Sequence, residues 1–446
     1  MSRTMKPSGI EWIGEIPEGW EVSSLKNLLV RIGNGAWGFD QQNDDHDIVC
    51  IRIADFDFEN LCLKNQESFT IRNFTTSTIQ KLLLQNGDIL IEKSGGGDLT
   101  PVGRVVEFNL SINAVCSNFI EILRPKNSVN SKYLLNLLAS CYHTGLTVKY
   151  IKQTTGIQNL DLTTFLDEKT TYCNYKEQQA IADYLDRKSE LIDSTIEKQK
   201  TVIEKLKLYK QSVITEAVTK GLDPTVTMKP SGIEWIGDIP ENWEVIRLRY
   251  IGSCQNGISK SSEFFGVGFP FVNYSDVYQN FVLPLNVSGL INSTIKERDT
   301  LSVLEGDVFF TRTSETIEEI GFTSTCLHTI DNGIFSGFLI RFRPNKNVLS
   351  KNFSKYYFCS QIHRLYFVKE MNLVTRASLS QELLKKMPIL LPPLPEQQAI
   401  ADYLDTKCSQ IDTIIEQKQK LIEKLSSYKK SLIYECVTGK REVMAG

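Results

Sequence analysis

The sequence predicts an α+β protein with two globular domains joined by a long antiparallel two-helix coiled coil, and with a pseudo-twofold internal repeat. Two observations predict this. MKPSGIEWIGEIPEGWEV, residues 5–22, returns as MKPSGIEWIGDIPENWEV, residues 228–245. EQQAIADYLD begins at Glu177 and again at Glu396, so the offsets are 228 − 5 = 223 and 396 − 177 = 219 residues. A period of half the chain makes each half a unit of folding.

The two repeated stretches divide the chain into six segments. Little else aligns between the halves, apart from short pieces such as NGDIL against EGDVF. We call the two repeated stretches the frame of each half. The frame is repeated, whereas the sequence between its two parts differs. The predicted segments are a first domain at 1–176, a long helix at 177–218, a linker at 219–227, a second domain at 228–395, a second long helix at 396–437 and a tail at 438–446.

The long helices are predicted from two runs that contain neither proline nor glycine and are rich in Glu, Lys, Gln, Leu and Ile. Their apolar residues follow a heptad pattern, which is typical of a coiled coil. Since the linker is short, the second helix must run back along the first, and the pair is antiparallel. The predicted core positions are Leu185, Ile192, Ile196, Ile203, Leu206 and Val213 in the first helix and Leu404, Ile411, Ile415, Ile422, Leu425 and Leu432 in the second.

The two domains mix short β-branched runs with helical patches, as expected of an α+β fold. Residues 48–56, 87–94 and 337–344 predict strands. Residues 131–140 and 350–367 predict helices, each opened by a serine cap.

Composition argues against several classes of function. The net charge of −3 and the pI near 6.0 do not suit a general polyanion binder, so any nucleic-acid contact must come from local patches. Ten cysteines without a C-x-x-C pair and four histidines that do not repeat predict neither disulfides nor a metal site. No apolar run approaches the roughly 18 residues that would predict a membrane span, and we expect the protein in the cytoplasm.

One motif resembles the metal-binding acids and lysine of a nuclease. Asp88, Glu92 and Lys93 supply the right residue types, but Thr311 stands at the position equivalent to Glu92 in the second half. Because the second acid is missing there, we predict no catalytic residue in this chain.

Both halves keep a basic residue after a strand, Lys93 and Arg312, followed by Ser94 and Thr313. Polar and basic loops at matched positions suit base reading, although a solvated turn fits the same pattern. The predicted DNA-binding residues are Lys93, Ser94, Arg104, Gln158 and Asn159 in the first domain and Arg312, Thr313, Arg376 and Ser378 in the second.

This combination of motifs resembles the specificity subunits of type I restriction-modification systems over nearly the whole chain. The resemblance depends on the repeated box at 5–22, the GDIL and GDVF elements, and LPPLPEQQAIADYLD at the start of the second helix. The first half departs from the family pattern, because YCNYKEQQ replaces the proline-rich segment before the helix.

The resemblance implies a DNA specificity subunit in which each domain reads one part of a bipartite target. It implies that the helices set the spacer and dock two modification subunits, and that restriction subunits join the complex on double-stranded DNA. It also implies a chain without catalytic activity, with S-adenosylmethionine, ATP and Mg²⁺ on partner subunits. The alternative is a structural coiled-coil tether whose heads bind protein. Heads that diverge within a nearly identical frame favour the DNA reader.

Overall fold

The chain folds into two compact units, and each unit contains one globular domain and half of each long helix. A computed structural model describes residues 3–64, 68–154, 156–314, 320–370 and 377–443. The first unit comprises 1–199 with 420–446, and the second comprises 200–419. The six predicted segments follow the order of the chain, whereas the compact units divide both long helices near their middles.

The first half of the chain alternates short strands with short helices before the first long helix. Its strands are β1 Met5–Ile10, β2 Gly14–Pro17, β3 Glu21–Ser24, β4 Leu29–Asn34, β5 Asp47–Ile51, β6 Phe56–Asp57, β7 Cys62–Leu63, β8 Ile71–Asn73, β9 Asp88–Glu92, β10 Ser94–Gly95, β11 Val105–Phe108, β12 Ala114–Cys116, β13 Ile120–Pro125, β14 Ile151–Thr154, β15 Ile157–Leu160 and β16 Lys169–Tyr172. Its helices are α1 Thr76–Leu82, α2 Ser131–His143, α3 Leu162–Leu166 and α4 Tyr175–Lys220.

The second half repeats this organisation. Its strands are β17 Met228–Pro230, β18 Asp238–Pro240, β19 Glu244–Arg247, β20 Gly252–Asn256, β21 Phe265–Val272, β22 Gly289–Ile291, β23 Val308–Thr311, β24 Thr313–Ser314, β25 Thr323–Thr325, β26 Ile334–Phe335, β27 Leu339–Pro344, β28 Ala377–Ser378 and β29 Pro388–Leu391. Its helices are α5 Tyr274–Tyr278, α6 Ile295–Thr300, α7 Lys351–Tyr357, α8 Ile362–Glu370, α9 Gln381–Lys386 and α10 Leu394–Val437.

The two domains share one sheet topology although their sequences barely align. The main antiparallel sheet has the order β11-β9-β13-β4 in the first domain and β25-β23-β27-β20 in the second. A smaller sheet contains one parallel pair in each domain, β12 with β5 and β26 with β21. The repeated box forms a hairpin, β1 with β2 and β17 with β18. The internal repeat therefore extends through the whole domain and not only through its frame.

A buried aspartate joins the main sheet to the turn that enters it. The Asp88 carboxylate accepts hydrogen bonds from Arg124 Nε and Nη2 at 2.6 and 2.7 Å. Asp307 accepts from the same atoms of Arg343, both at 2.6 Å. Each carboxylate also accepts from the backbone N–H three residues earlier, at 2.8 Å. Both aspartates are at most 1% exposed. Because a buried carboxylate without a partner is strongly destabilising, the arginine is needed to compensate its charge. The GD element of the sequence is thus a structural joint.

The repeated box and the start of each long helix meet through a buried tryptophan. Trp20 Nε1 donates to Glu177 Oε1 at 3.1 Å, and Trp243 Nε1 donates to Glu396 Oε1 at 2.9 Å. Both indole rings are at most 1% exposed. A buried indole N–H needs an acceptor, and the first glutamate of EQQAIADYLD supplies it in both units.

The apolar stripes of the long helices join the core of each unit. In the first unit, Tyr133 Oη donates to the carbonyl oxygens of Thr171 and Val437, and Lys429 Nζ bonds Asp193 at 2.6 Å. The helix segments of this unit are therefore antiparallel. Of the predicted core positions, Leu185, Ile192, Ile203, Leu404, Ile411, Ile422 and Leu432 are buried, and Ile196, Leu206, Val213, Ile415 and Leu425 are half-buried.

Several predicted elements differ from the structure in extent. The strand at 48–56 ends at Ile51 and is followed by a 3₁₀ turn. The helix at 350–367 is two helices, α7 and α8. The cap of α2 is Asn130 and not Ser131, because the Asn130 side chain accepts from the backbone N–H of Tyr133. Local patterns predict the type of an element better than its end.

We expect Asp307→Asn to destabilise the second unit by about 2 to 3 kcal/mol, since an amide leaves the charge of Arg343 uncompensated in a largely buried site. Hydrogen exchange should rise in β23 and β27 while β9 and β13 stay protected. The control is Asp331→Asn, which changes an exposed aspartate of the same unit. Equal exchange in the two variants would contradict a structural role for Asp307.

Candidate nucleic-acid interface

In the first domain, the predicted DNA-binding residues meet where β10 pairs with β15. Ser94 is opposite Asn159 and Gly95 is opposite Gln158 in this ladder. Ser94 Oγ donates to Asn159 Oδ1 at 2.6 Å. The backbone N–H of Leu160 donates to the Lys93 carbonyl oxygen at 2.8 Å. Residues far apart in sequence thus form one junction next to the end of β9.

The second domain has the same junction. Thr313 of β24 is opposite Ser378 of β28. The backbone N–H of Leu379 donates to the Arg312 carbonyl oxygen at 2.8 Å, which reproduces the bond from Leu160 to Lys93. Arg376 lies outside the described residues. The predicted basic and hydroxyl residues therefore occupy equivalent places in both domains.

The two basic side chains of this junction differ in their surroundings. Lys93 Nζ donates to Glu121 Oε1 at 3.1 Å and to Asn34 Oδ1 at 3.3 Å, and the side chain is 32% exposed. Arg312 Nη1 donates to the Gly337 carbonyl oxygen at a long 3.4 Å. Toward the described part of the chain, Arg312 therefore uses this one donor and keeps others for a ligand, whereas Lys93 must exchange existing partners for one.

Two predicted contact residues, Arg104 and Gln158, are bonded within the first domain. Arg104 donates to both carboxylate oxygens of Glu92, at 2.8 and 2.9 Å, and its guanidinium lies 3.7 Å from the ring centre of Phe58. Burial disfavours the charge of Arg104, but hydrogen bonds and the charge of Glu92 outweigh this effect and raise its pKa. Gln158 is only 6% exposed, and its side-chain oxygen accepts from the Val102 N–H.

The acids that resemble a nuclease site are also structural. Glu92 is 1% exposed and bonded to Arg104, and Asp88 is bonded to Arg124. Among the described residues, no group of three His, Cys, Asp or Glu side chains is placed to hold a metal ion. All ten cysteines have free thiols.

One cation–aromatic pair in each domain was not predicted from the sequence, and in each pair the cation is also paired with a carboxylate, Arg72 with Asp40 and Lys260 with Glu297. In the first, the Arg72 guanidinium lies 4.7 Å from the ring centre of Trp37. In the second, Lys260 Nζ lies 5.1 Å from the ring centre of Phe264. The rings are 41% and 36% exposed. The available signal was the mixture of glycine and aromatic residues in GAWGF and EFFGVGF.

A glycine precedes the aromatic residue in each of these loops. A side chain at this glycine would collide with neighbouring backbone atoms. A Cβ at Gly35 would lie 2.1 Å from the carbonyl oxygen of Ser117, and a Cβ at Gly257 would lie 2.2 Å from that of Ser336. Both loops therefore leave the main sheet at the same point, and only their later residues diverge.

The comparison with protein families now identifies this architecture. The family model described as the type I restriction modification DNA specificity domain matches residues 17–206 and 240–424. The chain belongs to this family. Its role is DNA sequence specificity, and membership places it among the non-catalytic subunits of such systems.

Individual relatives agree over nearly the full chain. A putative type I restriction enzyme MjaX specificity subunit of Methanocaldococcus jannaschii is 28% identical, covering 97% of this chain and 96% of the relative. The type I restriction enzyme EcoKI specificity subunit of Escherichia coli is 23% identical, with coverage of 96% and 90%.

Solved structures share the fold at lower identity. A chain from a structural study of assembly and conformational transition of the type I R-M system has a TM-score of 0.71 at 16% identity, covering 96% of this chain and 99% of its own. The HsdS subunit from Thermoanaerobacter tengcongensis has a TM-score of 0.55 at 14% identity, covering 96% and 98%. Within the described part of the chain, no helix is long and apolar enough to cross a membrane.

We expect Arg312→Ala to relax the recognised sequence in one half of the target, since a good arginine-to-base pair discriminates by about 1 to 3 kcal/mol. Methylome sequencing of cells that express the variant with its modification subunit measures this. Lys346→Ala is the control, because Lys346 is exposed just beyond the other end of β27. A uniform loss at every site would indicate a phosphate contact instead.

Proposed function

We propose that this chain is the specificity subunit of a type I restriction-modification complex and that each domain reads one half of a bipartite DNA target. The observation that carries the proposal is the repeated junction, with Lys93 beside Ser94 and Asn159 and with Arg312 beside Thr313 and Ser378. Basic, hydroxyl and amide side chains are the groups that read base edges. The same junction within divergent domains suits two different half-sites.

The chain's overall charge makes its DNA affinity depend on partners. At a net charge of −3, the chain lacks the basic excess that supplies non-specific binding. We infer that modification subunits provide most of the phosphate contacts, and that this chain mainly supplies discrimination between bases.

The long helices are the proposed ruler between the half-sites. Both unit boundaries, 199/200 and 419/420, lie inside helices. Lys210 pairs with Asp412 at 2.7 Å in the second unit, as Lys429 pairs with Asp193 at 2.6 Å in the first. These ion pairs are partly exposed and add little stability, but polar pairs at an apolar seam can set register. Each pair supports antiparallel packing of the two helix segments within its own unit.

The outer faces of the same helices are proposed to dock two modification subunits. In the second unit, Tyr209 and Tyr403 line a groove of about 930 Å³ together with Leu222 and Met228. A chain with large exposed apolar side chains along a helix is expected to bury them against a protein partner. The exposed helix residues are Leu191, Leu208, Tyr209, Tyr403, Ile414, Leu421 and Tyr428.

The catalytic groups are proposed to lie on other subunits. Methylation with S-adenosylmethionine is assigned to the modification subunits, and ATP- and Mg²⁺-dependent translocation and cleavage to the restriction subunits. Nothing in this proposal requires this chain to hold a cofactor.

Methylome sequencing tests the proposed function directly. Cells that express this chain with its modification subunit should carry methylated adenines in two short specified sequences separated by a fixed unspecified gap. The matched control expresses the modification subunit alone and should show no such motif. Methylation without a bipartite motif, or the same motif in both strains, would contradict the proposal.

We expect a seven-residue insertion after Gln199, together with one after Gln419, to lengthen the gap by about three base pairs. Seven residues preserve the heptad phase and add about 10.5 Å of helix, against about 3.4 Å per base pair. Both specified halves should remain unchanged, since neither domain is altered.

The control is the same insertion after Pro224, which lengthens a connection inside the second unit. It should leave the gap unchanged. If the gap is also unchanged in the variant that carries an insertion in each long helix, the helices do not measure distance.

A further inference from the structure

Each domain exposes a phenylalanine beside the junction where β10 pairs with β15 or β24 pairs with β28. Phe119 is 45% exposed and Phe338 is 59% exposed. Their offset, 338 − 119 = 219, equals the offset of the long helices, so the two residues are equivalent. A single exposed apolar side chain needs no explanation, but a matched pair within divergent domains does.

The backbone of each phenylalanine is bound to the basic residue of the junction. The Lys93 N–H donates to the Phe119 carbonyl oxygen at 2.8 Å, and the Arg312 N–H donates to that of Phe338 at 2.9 Å. The next residue, Ile120 or Leu339, is fully buried and opens β13 or β27. The main chain is therefore held at the sheet while the ring faces outward.

The glycine loop holds the other side of the same strand. The Gly35 N–H donates to the Ile120 carbonyl oxygen at 3.0 Å, and the Gly257 N–H donates to that of Leu339 at 3.3 Å. Each phenylalanine thus precedes a strand end fixed from two sides. An exposed ring on such a support is pre-organised, and binding there orders little further.

The chemistry of this pair suggests which part of DNA each ring meets. A phenyl ring cannot hydrogen-bond a base edge, so it contributes apolar contact. The neighbouring cation, Lys93 or Arg312, is the residue type that binds guanine O6 and N7 in the major groove. The thymine 5-methyl group lies in that same groove and is contacted by apolar side chains, phenylalanine among them.

We propose that Phe119 and Phe338 are specificity-determining residues, each packing its ring against a thymine 5-methyl group in the half-site that its own domain reads. This inference rests on the proposed function. A ring that instead wedges between base pairs would unstack them, and the experiment distinguishes the two arrangements.

The test uses the full chain in complex with its modification subunit. Phe338→Ala should relax one A·T position in one half of the methylated motif, and Phe119→Ala should relax one in the other half. Each variant should discriminate about tenfold less at that position and retain parental discrimination elsewhere. Relaxation in both halves, or at a G·C position, would overturn the proposal.

A chemical substitution in the DNA isolates the methyl group. Replacing the thymine at the relaxed position by uracil should slow methylation by the parental complex about tenfold and leave the matching alanine variant unaffected. Equal slowing of parent and variant would overturn the proposal. So would a rise in 2-aminopurine fluorescence beside that thymine on binding of the parental complex, because it would show a wedge.

Two variants control for folding. Phe281→Ala removes another ring of the second domain that is 59% exposed and should leave the motif unchanged. Phe338→Leu keeps an apolar side chain and should keep most of the discrimination. An alanine variant that melts like Phe281→Ala and reads the parental motif would refute this inference alone, whereas a parental chain without a bipartite motif would refute the proposed function.

Discussion

The hydrogen bond from the box tryptophan to the first glutamate of the long helix is the contact on which each unit depends. Next to Glu177 and Glu396, Gln178 and Gln397 are at most 1% exposed. Gln178 accepts from the N–H of Asn130, the cap of α2, and Gln397 accepts likewise at α7. The Glu-Gln pair near the start of each long helix thus bonds both the repeated box and the globular domain to that helix. Buried polar groups that satisfy one another tolerate little change, which explains why both stretches occur twice.

These contacts lie in the repeated part of the chain, the box and the start of each long helix, whereas the loops of the two domains differ in sequence. The main sheets keep the same order and the same Asp–Arg bond, while the loops that leave them carry Trp37 in one domain and Phe264 in the other. A specificity protein needs such a division, because it must change the bases it reads without losing the geometry on which its partners assemble. Loops at the surface of a rigid scaffold meet that need.

The surroundings of a side chain could be predicted from the sequence where its neighbours are close along the chain. The heptad positions are buried or half-buried because helical periodicity is set by neighbours three and four residues away. Arg104 and Gln158 carry the right groups for DNA, but Glu92 and the Val102 N–H already hold them. Those partners lie on other segments, Glu92 in β9 and Val102 in the loop before β11, and the spacing along the sequence does not predict them.

The sequence by itself determined the internal repeat, the two long helices and the family resemblance, because each of these depends on identity or periodicity along the chain. Only the tertiary structure decided that the repeat extends through both sheets, and that Ser94 meets Asn159 as Thr313 meets Ser378. It also decided that Phe119 and Phe338 lie beside the basic residues. The physical reason is that strand pairing joins residues distant in sequence through backbone hydrogen bonds, which any side chain permits.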